Sequence, residues 1–143
     1  MLTSGQIAHF DTFGYLVLRG LFSAEEMAVI DREFEEEMAE DRAGESFRGD
    51  KRHAVVACAE KRPALRSVID DDRIYGAMED LLGPDLIWFG SDGNYYTGDT
   101  AWHSDGTVMD MGRIKVAFYL DPVTRDTGCL RFIPGSHKMP LNE

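Results

Sequence analysis

The chain has 143 residues and a mass of 16.1 kDa, room for one domain, and a hydrophobic fraction of 43% that is ample for a packed core. Its 15 lysines and arginines face 26 aspartates and glutamates, a formal net charge of −11 that argues against both a duplex nucleic-acid partner and an anionic membrane surface. No apolar run reaches the roughly 18–20 residues of a membrane span, and the first residues show neither the basic nor the apolar region of a secretory signal. Cys58 and Cys129 lie far apart in sequence and read as buried free thiols, so the expected setting is the reducing cytoplasm.

Thr3 and Gln6 form a weak capping box, with Ile7, Phe10 and Phe13 at helical spacing and Gly14 as the left-handed stop. Residues 15–18 are a short strand candidate. Ser23 and Glu26 make a clear capping box, behind which Met27, Ile30, Phe34 and Met38 form one apolar stripe. Asp31, Glu33, Glu35, Glu36, Glu37 and Glu40 then read as the solvated face of that helix, which places much of the negative charge on one element. Residues 42–57 read as a loop leading into a short strand. Pro63 suits the first turn of a further helix, with Leu65, Val68 and Ile69 inward. Asp70, Asp71 and Asp72 are adjacent, so their side chains fan around the backbone and are expected to serve a turn and an N-cap, not a metal. A last helix buries Ile74, Met78, Leu81 and Leu82 and ends at Gly83 and Pro84.

Beyond residue 84 the texture changes. Runs at 86–89, 94–97, 113–120 and 129–133 are rich in β-forming residues, with Gly, Asp, Pro and Thr between them at the spacing of antiparallel strands. The expected organisation is one α+β domain over 1–143, helical to about residue 84 and β from about 85.

The stretch that carries chemistry is Trp102, His103, Ser104, Asp105 and Gly106. In an extended chain residues two apart point to one face, so His103 and Asp105 can offer an imidazole nitrogen and a carboxylate oxygen to a single point. These are two members of the two-histidine, one-carboxylate triad that holds non-haem Fe(II) and leaves positions open. Four histidines and fifteen aspartates would give about 0.4 such pairs by chance, so the pair by itself is a weak motif and its context must decide.

That context is Gly98 to Asp105, the run from Ile114 to Asp121, and Gly128, Cys129, Leu130, Arg131 and Phe132 leading to Pro134, Gly135, Ser136, His137 and Lys138. Together with residues 10–23 and 81–84, it resembles the phytanoyl-CoA dioxygenase family of Fe(II)/2-oxoglutarate oxygenases over nearly the whole chain. The resemblance implies a double-stranded β-helix, a cupin-like jelly roll flanked by helices. It implies Fe(II) held by His103 and Asp105, with 2-oxoglutarate as cosubstrate. Dioxygen and a small organic molecule would be the other reactants, a C–H bond being hydroxylated with release of succinate and CO2. Halogenating relatives lack the carboxylate, so Asp105 favours hydroxylation. By strand order, Tyr95 falls where relatives place a polar or basic pocket residue and Phe118 where they place an aromatic against 2-oxoglutarate; both equally suit core aromatics. Trp102 is expected to wall the site.

The family pattern also calls for a second histidine ligand and a 2-oxoglutarate-binding arginine further downstream. The sequence ends 38 residues after Asp105, whereas about six more strands with their turns need on the order of 50 residues. The expected jelly roll is therefore incomplete, the N-terminal half to two-thirds of an oxygenase, to be completed by a missing C-terminal segment or a homodimer partner. His137 is not the distal ligand in the family and is expected to serve a turn or packing; His9 and His53 are assigned no iron. Arg113, Lys115, Arg125 and Arg131 receive no role. The competing reading is a non-catalytic remnant or binding module whose open sheet another chain completes. A cupin-type metalloenzyme without 2-oxoglutarate is a weaker third, since it would want more than one histidine near His103.

Overall fold

A computed structural model of the chain describes residues 1–105 and 112–139. Its elements are α1 (Ser4–Phe13), α2 (Ala24–Asp41), β1 (His53–Val56), α3 (Cys58–Lys61), α4 (Pro63–Ile69), α5 (Asp72–Leu82), β2 (Asp92–Tyr95) and a 3-10 turn, Ser136–Lys138. They fall into two units, one of residues 20–75 and 87–99, the other of residues 1–19, 76–86 and 100–143.

The unit of residues 20–75 and 87–99 is built on α2. The Ser23 hydroxyl accepts from the Glu26 amide at 3.2 Å and the Glu26 carboxylate accepts from the Ser23 amide at 2.6 Å, so the capping box closes as its sequence requires. The apolar stripe faces inward: Ile30 and Met38 are buried, Met38 completely, and Met27 and Phe34 are half-buried. The opposite face is not uniformly solvated. Glu37 is buried, held by Lys61 Nζ at 2.8 Å and Arg62 Nε at 3.0 Å. Glu33 accepts from the backbone amides of Ala64 and Leu65 at 2.6 and 3.3 Å, satisfying donors left open at the start of α4. Helical periodicity hides both roles because the partners come from residues 61–65, which pack on the charged side of α2.

β1 and β2 pair antiparallel, with His53 opposite Tyr95 and Val55 opposite Gly93. Ala57, left-handed at φ 56°, turns the chain from β1 into α3, a single turn that the sequence pattern does not announce, and its amide donates to the Ser91 carbonyl at 2.8 Å. Gly93 is required by space. A Cβ there would lie 2.6 Å from Cys58 Sγ and 2.9 Å from Phe34 Cε2, so Gly93→Ala is expected to cost about 1–3 kcal/mol, read as a lower denaturant midpoint at unchanged slope. Burial pushes the Cys58 thiol up to about 11, which leaves it protonated and inert.

Arg73 ties this unit's loops together. It donates to the Leu21 carbonyl at 2.8 Å, to Glu26 Oε1 at 2.7 Å and to Asp71 Oδ2 at 2.7 Å, with its guanidinium 4.2 Å from the Phe22 ring centre. Asp71 also accepts from the Arg73 amide at 2.9 Å, the N-cap role expected for the aspartate run. Lys61 first, then Arg62, hold the Glu37 carboxyl below its ordinary 4.5, and Arg73 does the same for Glu26 and Asp71. Depressed carboxyl groups stabilise the fold above their unfolded-state values and lose that contribution as the pH falls through the folded-state values. The melting temperature should therefore drop below about pH 4.5, and Glu37→Gln should flatten that part of the profile.

In the other unit, Thr3 and Gln6 form their capping box at the start of α1. At its end, the Gly14 amide bonds the Phe10 carbonyl at 2.7 Å, the Gly135 amide bonds the Phe13 carbonyl at 3.0 Å, and His137 Nε2 lies 3.0 Å from the Asp11 carbonyl. Lys138 Nζ sits 3.3 Å from the Asp11 carboxylate. The segment around Gly135 thus caps α1, offering donors and positive charge where a helix exposes carbonyls. Tyr15 and Phe132 stack at 5.0 Å beside it.

Helices and strand are both present, as the α+β reading expects. A jelly roll is not: among the described residues β1 and β2 form the only sheet. The expected strand at 94–97 lies two residues earlier, and the runs at 15–18, 86–89, 113–120 and 129–133 lie in no ladder. A β-prone run becomes a strand only against a neighbouring edge and buried side chains. Val116, Leu130, Phe132 and Ile133 are instead 37–51% exposed. Among the described residues no helix is long and apolar enough to cross a membrane.

Candidate metal centre

His103 and Asp105 lie on an irregular segment of the second unit described, and the local backbone brings their side chains together. His103 Nδ1 is 2.8 Å from the Ala101 carbonyl. A carbonyl can only accept, so Nδ1 carries the hydrogen there and the neutral ring keeps its lone pair on Nε2. That lone pair faces Asp105 Oδ1 at 3.3 Å. Two acceptors turned toward each other call for a cation between them, either a second proton on the ring or a metal ion. Donors at about 2.1 Å in neighbouring octahedral positions are about 3.0 Å apart, close to the spacing found. A histidine ligand whose other nitrogen donates to a backbone carbonyl is the usual way a metal-binding tautomer is set.

The donor set thus fits a divalent ion as two of three protein ligands. Among the described residues no cluster of three His, Cys, Asp or Glu side chains exists, so a facial triad is not complete within them. The two side chains are also open to solvent, 58% and 64% exposed.

Lys115 is a neighbour that sequence reasoning left without a role. Its Nζ is 3.8 Å from Asp105 Oδ2, so one carboxylate oxygen faces the imidazole and the other an ammonium. Arg131, also unassigned, places its guanidinium 5.2 Å from the Trp102 ring centre. Neither pairing has a signal in the sequence, since both join positions at least ten residues apart with no ladder between them. Gly106, the last residue of the motif, lies outside the described residues.

Tyr95 and Phe118 are placed differently. Phe118 belongs to the same unit as His103 and is 37% exposed. Tyr95 belongs to the other unit, where it lies against Phe34 and Phe47 and donates its hydroxyl to Glu35. Burial first, then Glu35, push that hydroxyl up to about 12, with Arg42 opposing. Of the other histidines, His53 bonds Asp41 Oδ2 at 2.8 Å, His9 lies against Phe13 and Tyr15, and the His137 ring covers Gly14, where a Cβ would overlap it.

Residues 10–143 match the profile of the family described as phytanoyl-CoA dioxygenase (PhyH), and the chain belongs to that family. Among curated proteins it is similar to the ectoine dioxygenase of Streptomyces coelicolor, 26% identical over 96% of this chain and 52% of the relative. The ectoine dioxygenase of Sphingopyxis alaskensis is 26% identical over 98% of this chain and 51% of its own length. That of Stutzerimonas stutzeri is 29% identical over 92% and 49%. The chain therefore spans about half the length of the curated relatives it matches. No solved structure matches it significantly.

Proposed function

We propose that the protein is an Fe(II)/2-oxoglutarate-dependent dioxygenase that hydroxylates a C–H bond of a small organic substrate, releasing succinate and CO2. The observation that carries this reading is the closeness of His103 Nε2 and Asp105 Oδ1, 3.3 Å apart, inside a family member. His103 and Asp105 would hold Fe(II), and the bound metal would supply dioxygen activation coupled to 2-oxoglutarate decarboxylation. The Ala101 carbonyl orients the imidazole and keeps its proton on Nδ1. Asp105 contributes negative charge to the site, which a halide-accepting site would lack. Phe118, in the same unit as His103, is assigned to the cosubstrate pocket, and the jelly roll is the fold in which the motif would act. The relatives' name, ectoine dioxygenase, points to small organic molecules as substrates of this kind of enzyme.

The test is succinate formation from 2-oxoglutarate by the purified protein under air, with Fe(II) and ascorbate against a chelator control. Succinate that appears only with Fe(II) is the expected result. Its absence with Fe(II) present would favour a second reading, a non-catalytic module of the same family whose open β segments another chain covers. The exposed Leu130, Phe132 and Ile133 favour that alternative, because solvent-facing apolar groups in one stretch suit an interface. It predicts a metal-free dimer or hetero-complex by light scattering.

A further inference from the structure

The loop between α2 and β1 concentrates positive charge in a strongly acidic chain. Residues 42–53 hold Arg42, Arg48, Lys51 and Arg52 against only Glu45 and Asp50. Ala43 and Gly44, both left-handed at φ 53° and 79°, reverse the chain after α2, and the Gly44 amide closes the turn onto the Ala39 carbonyl at 2.9 Å. The loop then curls back to β1 around a concavity of about 360 Å³, within the range of small-molecule sites.

Two of its cations are structural. Arg42 donates from Nε to the Glu45 carbonyl at 2.8 Å and lies 3.3 Å from His53 Nδ1. Arg52 donates to Asn94 Oδ1 at 2.8 Å and stacks 4.4 Å from the Tyr96 ring centre. These bonds hold the walls, and Phe47, half-buried against Tyr95, forms part of the lining. Arg48 and Lys51 differ from them. Both line the concavity, and neither has a hydrogen bond or ion pair among the described residues. Glu45 and Asp50 also line the hollow, but four cations face these two carboxylates there, and the balance raises the local potential for an anion despite the net charge of −11.

We propose that this concavity is a binding site for a phosphate group, with Arg48 and Lys51 as its charged contacts and the Ser46 hydroxyl as a further donor. A carboxylate offers two oxygens in one plane, which a single guanidinium fork can saturate. A phosphate offers oxygens in three directions and accepts from a fork, a point charge and a hydroxyl together. The site lies in the unit that does not contain His103, and the inference does not depend on the oxygenase reading.

Isothermal titration of the full chain at low ionic strength tests it, with inorganic phosphate, glycerol phosphate and succinate as separate titrants. One equivalent of phosphate or glycerol phosphate should bind, and more tightly than succinate. Tighter glycerol phosphate would assign the site to a phosphate ester, and tighter inorganic phosphate to the free anion. Arg48→Ala with Lys51→Ala should weaken phosphate binding by about tenfold or more, whereas replacement of the exposed Arg66 of α4 by alanine and His103→Ala should leave it unchanged. Both loop positions are exposed, so the double variant should keep the wild-type circular dichroism and melting temperature. Wild-type protein that binds no phosphate, a double variant that binds as well as wild type, or succinate that binds equally well would each overturn the proposal.

Discussion

Exchange of His103 for alanine is expected to lower Fe(II)-dependent succinate formation by more than a hundredfold, because outer-shell partners of metal ligands alone are worth about 10–100-fold. The expectation follows from the donor count. His103 Nε2 and Asp105 Oδ1 are the two acceptors that face one point, and removing the nitrogen leaves a lone carboxylate with Lys115 beside it. An ammonium already close to the second oxygen then competes with the metal for the only remaining charge. Asp105→Ala should be as severe, and Asp105→Asn should not rescue it, since an amide oxygen carries no formal charge toward a divalent ion. The loss should occur without a stability change, because both side chains are more than half exposed. Thermal unfolding of the three variants alongside the activity assay separates loss of a ligand from loss of fold.

The largest effect on stability is expected at Met38. Its side chain is wholly buried, and α2 is the element against which the helices of its unit pack. Met38→Ala should cost about 2–4 kcal/mol through lost transfer energy and the cavity left behind. That is a large part of the roughly 5–15 kcal/mol by which ordinary domains are stable. Met27, on the same stripe but half-buried near the start of α2, should cost less than half as much on truncation. Chemical denaturation of the two variants checks the ordering. Equal effects would mean that α2 does not bury its stripe as described.

The local signals were legible where they were short-range. The capping boxes at Thr3 and Ser23, the glycine stop at Gly14, the proline at the start of α4 and the aspartate cap before α5 each involve residues within four positions of one another. Local backbone chemistry alone sets them. The roles of Glu33 and Glu37 were not legible, because a carboxylate on a helix face looks solvated until a distant segment supplies its cations. The β half failed for a related reason. Val, Ile, Phe and Tyr in 113–120 and 129–133 have strand propensity, but a ladder is a relation between two segments and propensity belongs to one. At the candidate site, the proximity of His103 and Asp105 was readable because the two residues are only two positions apart, although their segment is irregular. The proximity of Lys115 to Asp105, and of Arg131 to Trp102, depends on how the chain returns, which periodicity does not encode.

If His103 and Asp105 hold the metal, it must act on one of only four histidines in the chain. Imidazole resonances of the nitrogen-15-labelled protein can be followed while Mn(II), which shares the nitrogen and oxygen donor preference needed here, is added in sub-stoichiometric amounts. Paramagnetic broadening confined to the His103 ring, and abolished in Asp105→Ala, is the predicted result. Broadening at His9, His53 or His137 with His103 unaffected would contradict it and place the metal elsewhere.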